Sequence, residues 1–303
     1  MKCLFVYNPV SGRGKTAKRL KKIVRALRER YGDVCVCASR ERGDMTRIIR
    51  EQAHLFDAVV FSGGDGSVNE ALQGICESGC APELGYIPGG TVNDVAHSLG
   101  IPKRLGGALK VIRTGRAAAL DCMKIGDRYA MYIVAAGAFT SAPYTTPQSL
   151  KKQIGFVAYG IEGLAKNMDF DVFGVTVRAG GREVHTDSVF VVLMNGRYVA
   201  GIPLNRHAGM ADGKIEAAVI RQRKNPGFFG RVRAFFSLAR LFLFGFRAAN
   251  EKQIERFEGS RFEIQTDEHV VWNFDGEKGT TGKVTVEVLP GRIRMLVPRG
   301  KKV

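Results

Sequence analysis

Phe61-Ser62-Gly63-Gly64-Asp65-Gly66-Ser67-Val68-Asn69-Glu70 decides how this chain folds. The run leading into it, residues 57–61 (DAVVF), is apolar, rich in β-branched side chains and of buried-strand length. Behind it Val68, Leu72 and Ile75 recur at helical spacing. A strand therefore enters a glycine-rich turn and leaves it as a helix. Such a turn sets backbone N–H groups at the positive end of a helix dipole, which suits phosphate. Glycine lets the anion approach the backbone closely. Asp65 is the odd member. A carboxylate repels phosphate unless a cation bridges the two, which points to Mg²⁺ with a nucleotide. Taken alone, the stretch also reads as an ordinary βα turn with Asp65 as an N-cap.

A second stretch repeats the pattern. Residues 84–87 (LGYI) form a short apolar strand, Pro88-Gly89-Gly90-Thr91-Val92-Asn93-Asp94 follows, and residues 95–99 read as helix. Two glycine-rich turns, each leaving a strand and each carrying an Asp, can meet on one edge of a parallel sheet. With Asn8-Pro9 and Ser11-Gly12 ahead of them, GGDGS and PGGTVNDVA stand in the order and spacing of the diacylglycerol kinase catalytic domain, which the chain resembles. That family includes bacterial lipid kinases and sphingosine and ceramide kinases, and is distantly similar to NAD kinases. Asp121, Asp212-Gly213 and Asp275-Gly276-Glu277 extend the resemblance over nearly the whole chain.

The length of 303 residues suits two domains with sizeable cores. Lys and Arg total 46 against 29 Asp and Glu, and the net charge of +17 implies an anionic partner: nucleic acid, an anionic membrane surface or a phosphorylated substrate. Arg113-Thr114-Gly115-Arg116 is too short a basic run to argue for nucleic acid, and none is expected. The five His form no HxxxH or Ser/His/Asp signature, so a hydrolase has no support. Six cysteines, at 3, 35, 37, 76, 80 and 122, form no CxxC pair, which disfavours zinc. Cys35 and Cys37 lie in an apolar run and read as packed, reduced thiols. No signal peptide is read, because residues 4–7 pass straight into a polar loop. The expected location is the cytoplasm, with reversible membrane association.

In chain order, residues 2–7 read as the first strand, and 15–30 as an amphipathic helix with Leu20, Ile23, Val24 and Leu27 inward. Lys18, Arg19, Lys21, Lys22, Arg25 and Arg28 lie on its outer face. Gly14-Lys15-Thr16 looks like the end of a Walker A loop, but that motif needs glycine where Pro9 stands, so a P-loop is set aside. Strands at 33–38 and 57–61 and helices at 44–54 and 104–114 complete the α/β pattern. Beyond it lie strands at 119–125, 128–136, 172–178, 183–194, 214–221, 261–266, 283–289 and 292–297. The predicted architecture is an N-terminal open parallel α/β nucleotide-binding domain and a C-terminal antiparallel β-sandwich, which the resemblance implies is for the lipid substrate. The first spans residues 1–118 plus a return strand in 291–303, the return being what the resemblance implies; the second spans 119–290.

Residues 226–250 interrupt the β pattern. Val232, Phe235, Phe236, Ala239 and Leu243 form an apolar stripe, and Arg233, Arg240 and Arg247 recur every seven residues on another face. Three arginines argue against a transmembrane helix. Two readings remain: a helix buried on the sandwich, or an interfacial helix with Phe and Leu in lipid and Arg on headgroup phosphates.

The resemblance implies transfer of the γ-phosphoryl group of ATP to a lipid hydroxyl, with Mg²⁺ as cofactor and diacylglycerol, giving phosphatidic acid, as the first acceptor expected. Gly63, Gly64, Gly66, Ser67, Glu70, Gly89 and Gly90 would then form the nucleotide site, with Asn8, Ser11, Thr91 and Asn93 adding polar contacts. Asp65, Asp94 and Asp121 correspond to acids of a Mg²⁺–water network, although each also reads as a cap or turn residue. Asp275 corresponds to the general base on the acceptor hydroxyl and Glu277 to a residue near the metal; by itself the triplet is a hairpin turn. Asp212 matches a structural Mg²⁺ site, its ordinary reading being an Asp-Gly turn. Two other functions stay open. A soluble NAD kinase-like phosphotransferase is opposed by the Phe/Arg-rich segment and the full motif set. A non-catalytic basic nucleotide- or anion-binding protein has no need of Asp65, Asp94 and Glu277 near phosphate. The lipid and the oligomeric state are not set by the sequence, which leaves a homodimer open.

Overall fold

The computed structural model of the chain describes residues 1–138, 170–206, 208–225, 227–246 and 253–303. Strands β1 (Lys2–Tyr7), β2 (Asp33–Ala38), β3 (Ala58–Gly63) and β4 (Glu83–Pro88) are parallel and lie side by side in the order β4-β3-β1-β2. α1 (Lys15–Lys18) and α2 (Leu20–Tyr31) follow β1, and α3 (Asp44–Gln52) follows β2. α4 (Asp65–Glu77) follows β3, while α5 (Asp94–Leu99) and α6 (Leu105–Thr114) follow β4. The chain steps from β1 out to β2 and then crosses back to β3. Connections therefore diverge between β1 and β3, and the carboxyl ends of those strands border the crevice where open α/β sheets place ligands.

Cys35 is exposed and Cys37 half-buried, not packed as expected. Among the described residues β2 pairs only with β1, so it is the sheet edge there and has no strand beyond it to cover these thiols.

The second half is antiparallel: β5 (Arg116–Ile125), β6 (Arg128–Ala130), β7 (Ile133–Gly137), β8 (Phe173–Ala179), β9 (Arg182–Met194), β10 (Ile215–Arg221), β11 (Ile254–Gly259), β12 (Arg261–Thr266), β13 (Val271–Phe274), β14 (Glu277–Thr281) and β15 (Val284–Val297). Val134, Phe173, Val191, Phe262, Trp272 and Phe274 form the sandwich interior. Phe190, Val192 and Met194 of β9 face a separate core, continuous with that of the first half. From Val189 to Met194 β9 is thus buried on both faces, which is why that part of its sequence reads as an unbroken apolar run.

The two strands expected at 283–289 and 292–297 are one, β15, irregular between Leu289 and Ile293. Its start pairs with β12, and its end pairs in parallel with β4 at Met295↔Leu84. β5 runs antiparallel along it from Glu287 to Val297. These two strands join the halves, and the sequence-based limits at 118 and 291 fall inside them.

α7 (Phe228–Phe244) packs on β10, its Ala234, Leu238 and Leu241 are buried, and the Phe242 ring lies 6.1 Å from that of Phe190. The apolar stripe read from the sequence is not the buried face: Phe236 and Leu243 are exposed, and Val232, Phe235 and Ala239 are half-buried. Apolar residues surround this helix, so periodicity does not select a face and packing does. Arg233 and Arg240 are exposed, and Arg247 lies outside the described residues. Among the described residues no helix is long and apolar enough to cross a membrane.

Candidate functional site

Three loops meet at the carboxyl ends of β1, β3 and β4. Asn8 shapes the first: its Oδ1 accepts N–H from Val10 (3.0 Å) and Ser11 (3.2 Å). This turn sets the Ser11 hydroxyl against the other two, because a Cβ placed on Gly89 would lie 3.4 Å from Ser11 Oγ and one on Gly63 3.8 Å. Ser67 folds back over Gly63, where a Cβ would fall 1.9 Å from its Oγ. A Cβ on Gly90 would sit 2.6 Å from the Gly64 Cα. Backbone meets backbone there, so only glycine fits. Gly89 N–H also donates to Gly63 O at 2.7 Å.

Asp65, the first residue of α4, ties the loops together. Its Oδ2 accepts the Asn93 N–H and its Oδ1 the Asp94 N–H, both at 2.8 Å. A carboxylate from one helix thereby caps the next, whose own N-cap residue Asn93 has φ 59° and makes no side-chain cap. The Asn93 amide is committed to its loop: Oδ1 accepts the Gly90 N–H (2.9 Å) and Nδ2 donates to Gly90 O (2.8 Å). Tyr86, which the sequence did not single out, stacks on Phe61 at 5.0 Å. Its hydroxyl lies 3.1 Å from Asn93 Oδ1 and 3.2 Å from Gly63 O, latching the two glycine loops. A hydroxyl-bearing aromatic just ahead of the second glycine turn was the available signal. Thr91 is exposed at the loop tip, its carbonyl 3.5 Å from Lys103 Nζ.

Asp94 connects this assembly to the second half. It is buried, and its carboxylate accepts N–H from Ala200 (2.6 Å) and Gly201 (2.7 Å). Burial pushes its pKa up to about 6; the Asp65 charge acts in the same direction, against the two donors.

Asp275 faces the same charges from the sheet side. Fully enclosed, with φ 51°, it accepts three successive backbone N–H bonds, from Met131, Tyr132 (3.0 Å) and Ile133 (2.9 Å). This is why the strand expected at 128–136 breaks into β6 and β7. Burial pushes the Asp275 carboxyl up to about 7 despite the three donors, and Asp65 adds to the rise. The Tyr132 hydroxyl is raised by burial and by the charges of Asp275, Asp94 and Asp65, placing it in the same cluster. Among the described residues four non-glycines have left-handed φ, and three of them, Asn93, Ala200 and Asp275, belong to this assembly. Strained backbone gathered in one place marks a functional site.

Glu277 reaches over the first turn of α4, its Oε1 3.7 Å from where a Gly66 Cβ would stand. It pairs with Arg42 at 2.5 Å and Arg128 at 3.8 Å, two cations that the sequence reading passed over.

Three expected residues are bonded away from the cradle. Glu70, about 140° around α4 from Asp65, faces α3 and accepts the Met45 N–H at 3.2 Å, while staying near enough to Glu277 and Arg42 for both charges to act on it. Asp121 does not join Asp65 and Asp94; it accepts N–H from Gly213 (2.7 Å) and Gly291 (2.8 Å), holding a loop and the β15 irregularity to β5. Asp212 accepts the Lys214 N–H at 3.2 Å within its own turn.

Among the described residues no three His, Cys, Asp or Glu side chains form a metal cage. Mg²⁺ does not require one, since it takes one or two carboxylates and completes its shell with water and phosphate oxygens. Asp65 and Asp94 fit that role: each oxygen has accepted one N–H and keeps a lone pair. A cation beside them would also offset the Asp65 charge, which adds to the rise that burial imposes on Asp94 and Asp275. The arrangement can thus hold a polyphosphate at a helix N-terminus beside a carboxyl that titrates near neutrality.

Comparison with known proteins agrees with this geometry. The diacylglycerol kinase catalytic domain matches residues 2–125, and the YegS C-terminal NAD kinase beta sandwich-like domain matches residues 133–297. The chain is 30% identical over 292 residues to a probable lipid kinase YegS-like of Klebsiella pneumoniae (strain 342), covering 95% of this chain and 94% of that protein. It is 30% identical over 234 residues to a diacylglycerol kinase of Staphylococcus aureus (strain bovine RF122 / ET3-1), covering 77% and 74%. A crystal structure of a diacylglycerol kinase from Bacillus anthracis str. Sterne superposes with a TM-score of 0.77 at 25% identity, over 98% of this chain and 97% of that one. The family and the two-part fold expected from the glycine motifs are both found.

Proposed function

Because this chain belongs to the lipid kinases of the diacylglycerol kinase family, we propose that it transfers the γ-phosphoryl group of ATP to the hydroxyl of diacylglycerol, with Mg²⁺, giving phosphatidic acid. One observation carries the reading at the site. Glu277, two residues beyond Asp275, has its Oε1 3.7 Å from where a Gly66 Cβ would stand, next to the Asp65 that clamps the paired glycine loops. A base and a phosphate cradle are therefore neighbours. Diacylglycerol is proposed as acceptor because the Staphylococcus aureus and Bacillus anthracis relatives carry that name.

In this reading Gly63, Gly64, Gly66, Gly89 and Gly90 let the phosphates approach backbone N–H groups, while Ser11 and Thr91 border them. Asp65 and Asp94 would hold Mg²⁺, which would supply positive charge to neutralise the phosphates during transfer. Asp275 takes the acceptor's proton on a lone pair left by its N–H donors, as the O–H bond breaks, the new O–P bond forms and the bond from the γ-phosphorus to the ADP oxygen breaks, releasing ADP. Arg42 and Arg128 offset the Glu277 charge where the phosphate arrives. The enzyme works from the cytoplasm on lipid presented at an anionic membrane surface.

Radiolabelled ATP offered with micellar diacylglycerol, monoacylglycerol, phosphatidylglycerol, a sphingoid base and an isoprenol, with soluble NAD as control, tests this. Label should enter phosphatidic acid and cease to do so with a chelator. Label in another lipid would replace the acceptor, and label in NAD alone would replace the reading with the NAD kinase-like one.

A further inference from the structure

Seven large hydrophobic side chains are exposed among the described residues, and three stand on α7: Phe229 (85%), Phe236 (59%) and Leu243 (53%). Spaced by seven, they form one line along the helix. Arg233 and Arg240 stand four residues beyond the two phenylalanines, on the same side and exposed. The opposite side, Ala234, Leu238 and Leu241, is buried on the second half of the protein. The outer face therefore reads Phe, Arg, Phe, Arg, Leu. α2 shows what a merely solvated basic helix looks like here: Lys21, Lys22, Arg25 and Arg28 are exposed with no large apolar side chain exposed among them.

Charge selects what covers this face. No acidic residue lies between Glu216 and Glu251. A second copy packed helix to helix would set Arg233 and Arg240 against arginines, since α7 itself carries no carboxylate. A layer of anionic lipid offers phosphates to the arginines and acyl chains to the apolar residues. We infer that the outer face of α7 is the surface by which this protein docks on anionic lipid, with Phe229, Phe236 and Leu243 entering the interface and Arg233 and Arg240 on headgroup phosphates. The inference rests on the lipid kinase reading for its purpose, and on the face alone for its chemistry.

The helix is tied to the site. Beyond its end the Phe246 N–H donates to Leu204 O at 3.1 Å. The short segment from Leu204 back to Gly201 and Ala200 ends on the Asp94 carboxylate, beside the second glycine loop. Docking α7 therefore orients the crevice relative to the bilayer.

Cosedimentation with phosphatidylglycerol/phosphatidylcholine vesicles, without ATP, tests the surface. The protein should bind these vesicles, bind pure phosphatidylcholine poorly, and be released by salt. Arg233→Gln with Arg240→Gln should weaken binding about tenfold or more, each arginine contributing about fivefold. Phe229→Ser with Phe236→Ser should weaken it at least about tenfold, while turnover of a water-soluble short-chain acceptor stays at the parent level. Unchanged vesicle binding in the serine variant, equal loss on the short-chain acceptor, or a dimer that the serine variant dissociates would each overturn the inference. Salt-sensitive binding that these variants abolish, in a protein that phosphorylates no lipid, would sink the proposed reaction and leave the docking surface standing.

Discussion

The two halves of the site hold a carboxylate by opposite means. Asp65 receives two N–H groups from the start of α5, and Asp275 receives three from the break between β6 and β7. A helix start has unpaired N–H groups to offer, so binding Asp65 disturbs nothing. A sheet has none to spare unless it gives up ladder bonds, and here β6 and β7 are interrupted to supply them. The first acid is placed by a local motif at the mouth of a crevice. The second is placed by a distortion and is fully buried, which raises it to about 7. Open anion cradle and enclosed base are thus built from different resources, and they fail differently when altered.

Asp65→Asn should do the most damage, lowering turnover about a thousandfold or more. The amide keeps the shape but loses the charge and can accept only one of the two N–H bonds, so stability should also fall by about 1–2 kcal/mol. Activity within tenfold of the parent in a steady-state assay would show that the two acids are not a matched pair.

Asp275→Asn should lower kcat about 10²- to 10³-fold with little change in the KM for ATP. The parent's kcat should rise with pH through about 7 as the carboxyl ionises, and the variant should lose that rise. Stability should move the other way. A folded-state pKa raised above the ordinary value of about 4 means that the fold favours the protonated carboxyl. That stabilisation is complete below about pH 4 and is lost as pH rises through 7. Denaturant midpoints should therefore decline between pH 5 and 8. Asp94, raised to about 6, has the same sign, so Asp275→Asn should flatten only the upper part. A midpoint that climbs over that range would contradict the burial argument.

Gly90→Ala tests the cradle without touching either acid. The new methyl would meet the Gly64 Cα at 2.6 Å, so the loops must part. The KM for ATP should rise about tenfold and stability fall by about 1–3 kcal/mol, measured by initial rates and urea unfolding. Arg42→Gln should have the smallest effect. Its pair with Glu277 is largely exposed on the Arg42 side, 78%, so stability should change by less than about 1 kcal/mol. A fall in kcat/KM beyond about tenfold would give Arg42 a direct part in binding phosphate.

The α/β half and its cradle were legible because each signal is local. A β-branched run, a glycine turn and a helical repeat follow one another within a few residues at 57–75 and again at 84–99. The orientation of Glu70 was not legible for a related reason: proximity along the chain to Asp65 says nothing about the direction in which a helix turns it, and its carboxylate binds the start of α3. Asp121 was grouped with the cradle acids by motif, yet the bonds to Gly213 and Gly291 that fix it come from far along the chain. On α7 the apolar residues lie all round, and only contact with β10 and the adjoining core chose Ala234, Leu238 and Leu241 for burial and left Phe229, Phe236 and Leu243 outside.

The sequence by itself determined the parallel sheet, the glycine loops and the acids that stand in them, because strand period, helix period and glycine's backbone freedom act over a few residues. Only the tertiary structure decided that Tyr86 latches the loops, that Asp94 binds the Ala200 turn, and that residues 131–133 surrender their N–H groups to Asp275. Those are satisfied-donor and desolvation effects between distant segments. Their energies depend on what else is buried nearby, a quantity that no local pattern carries.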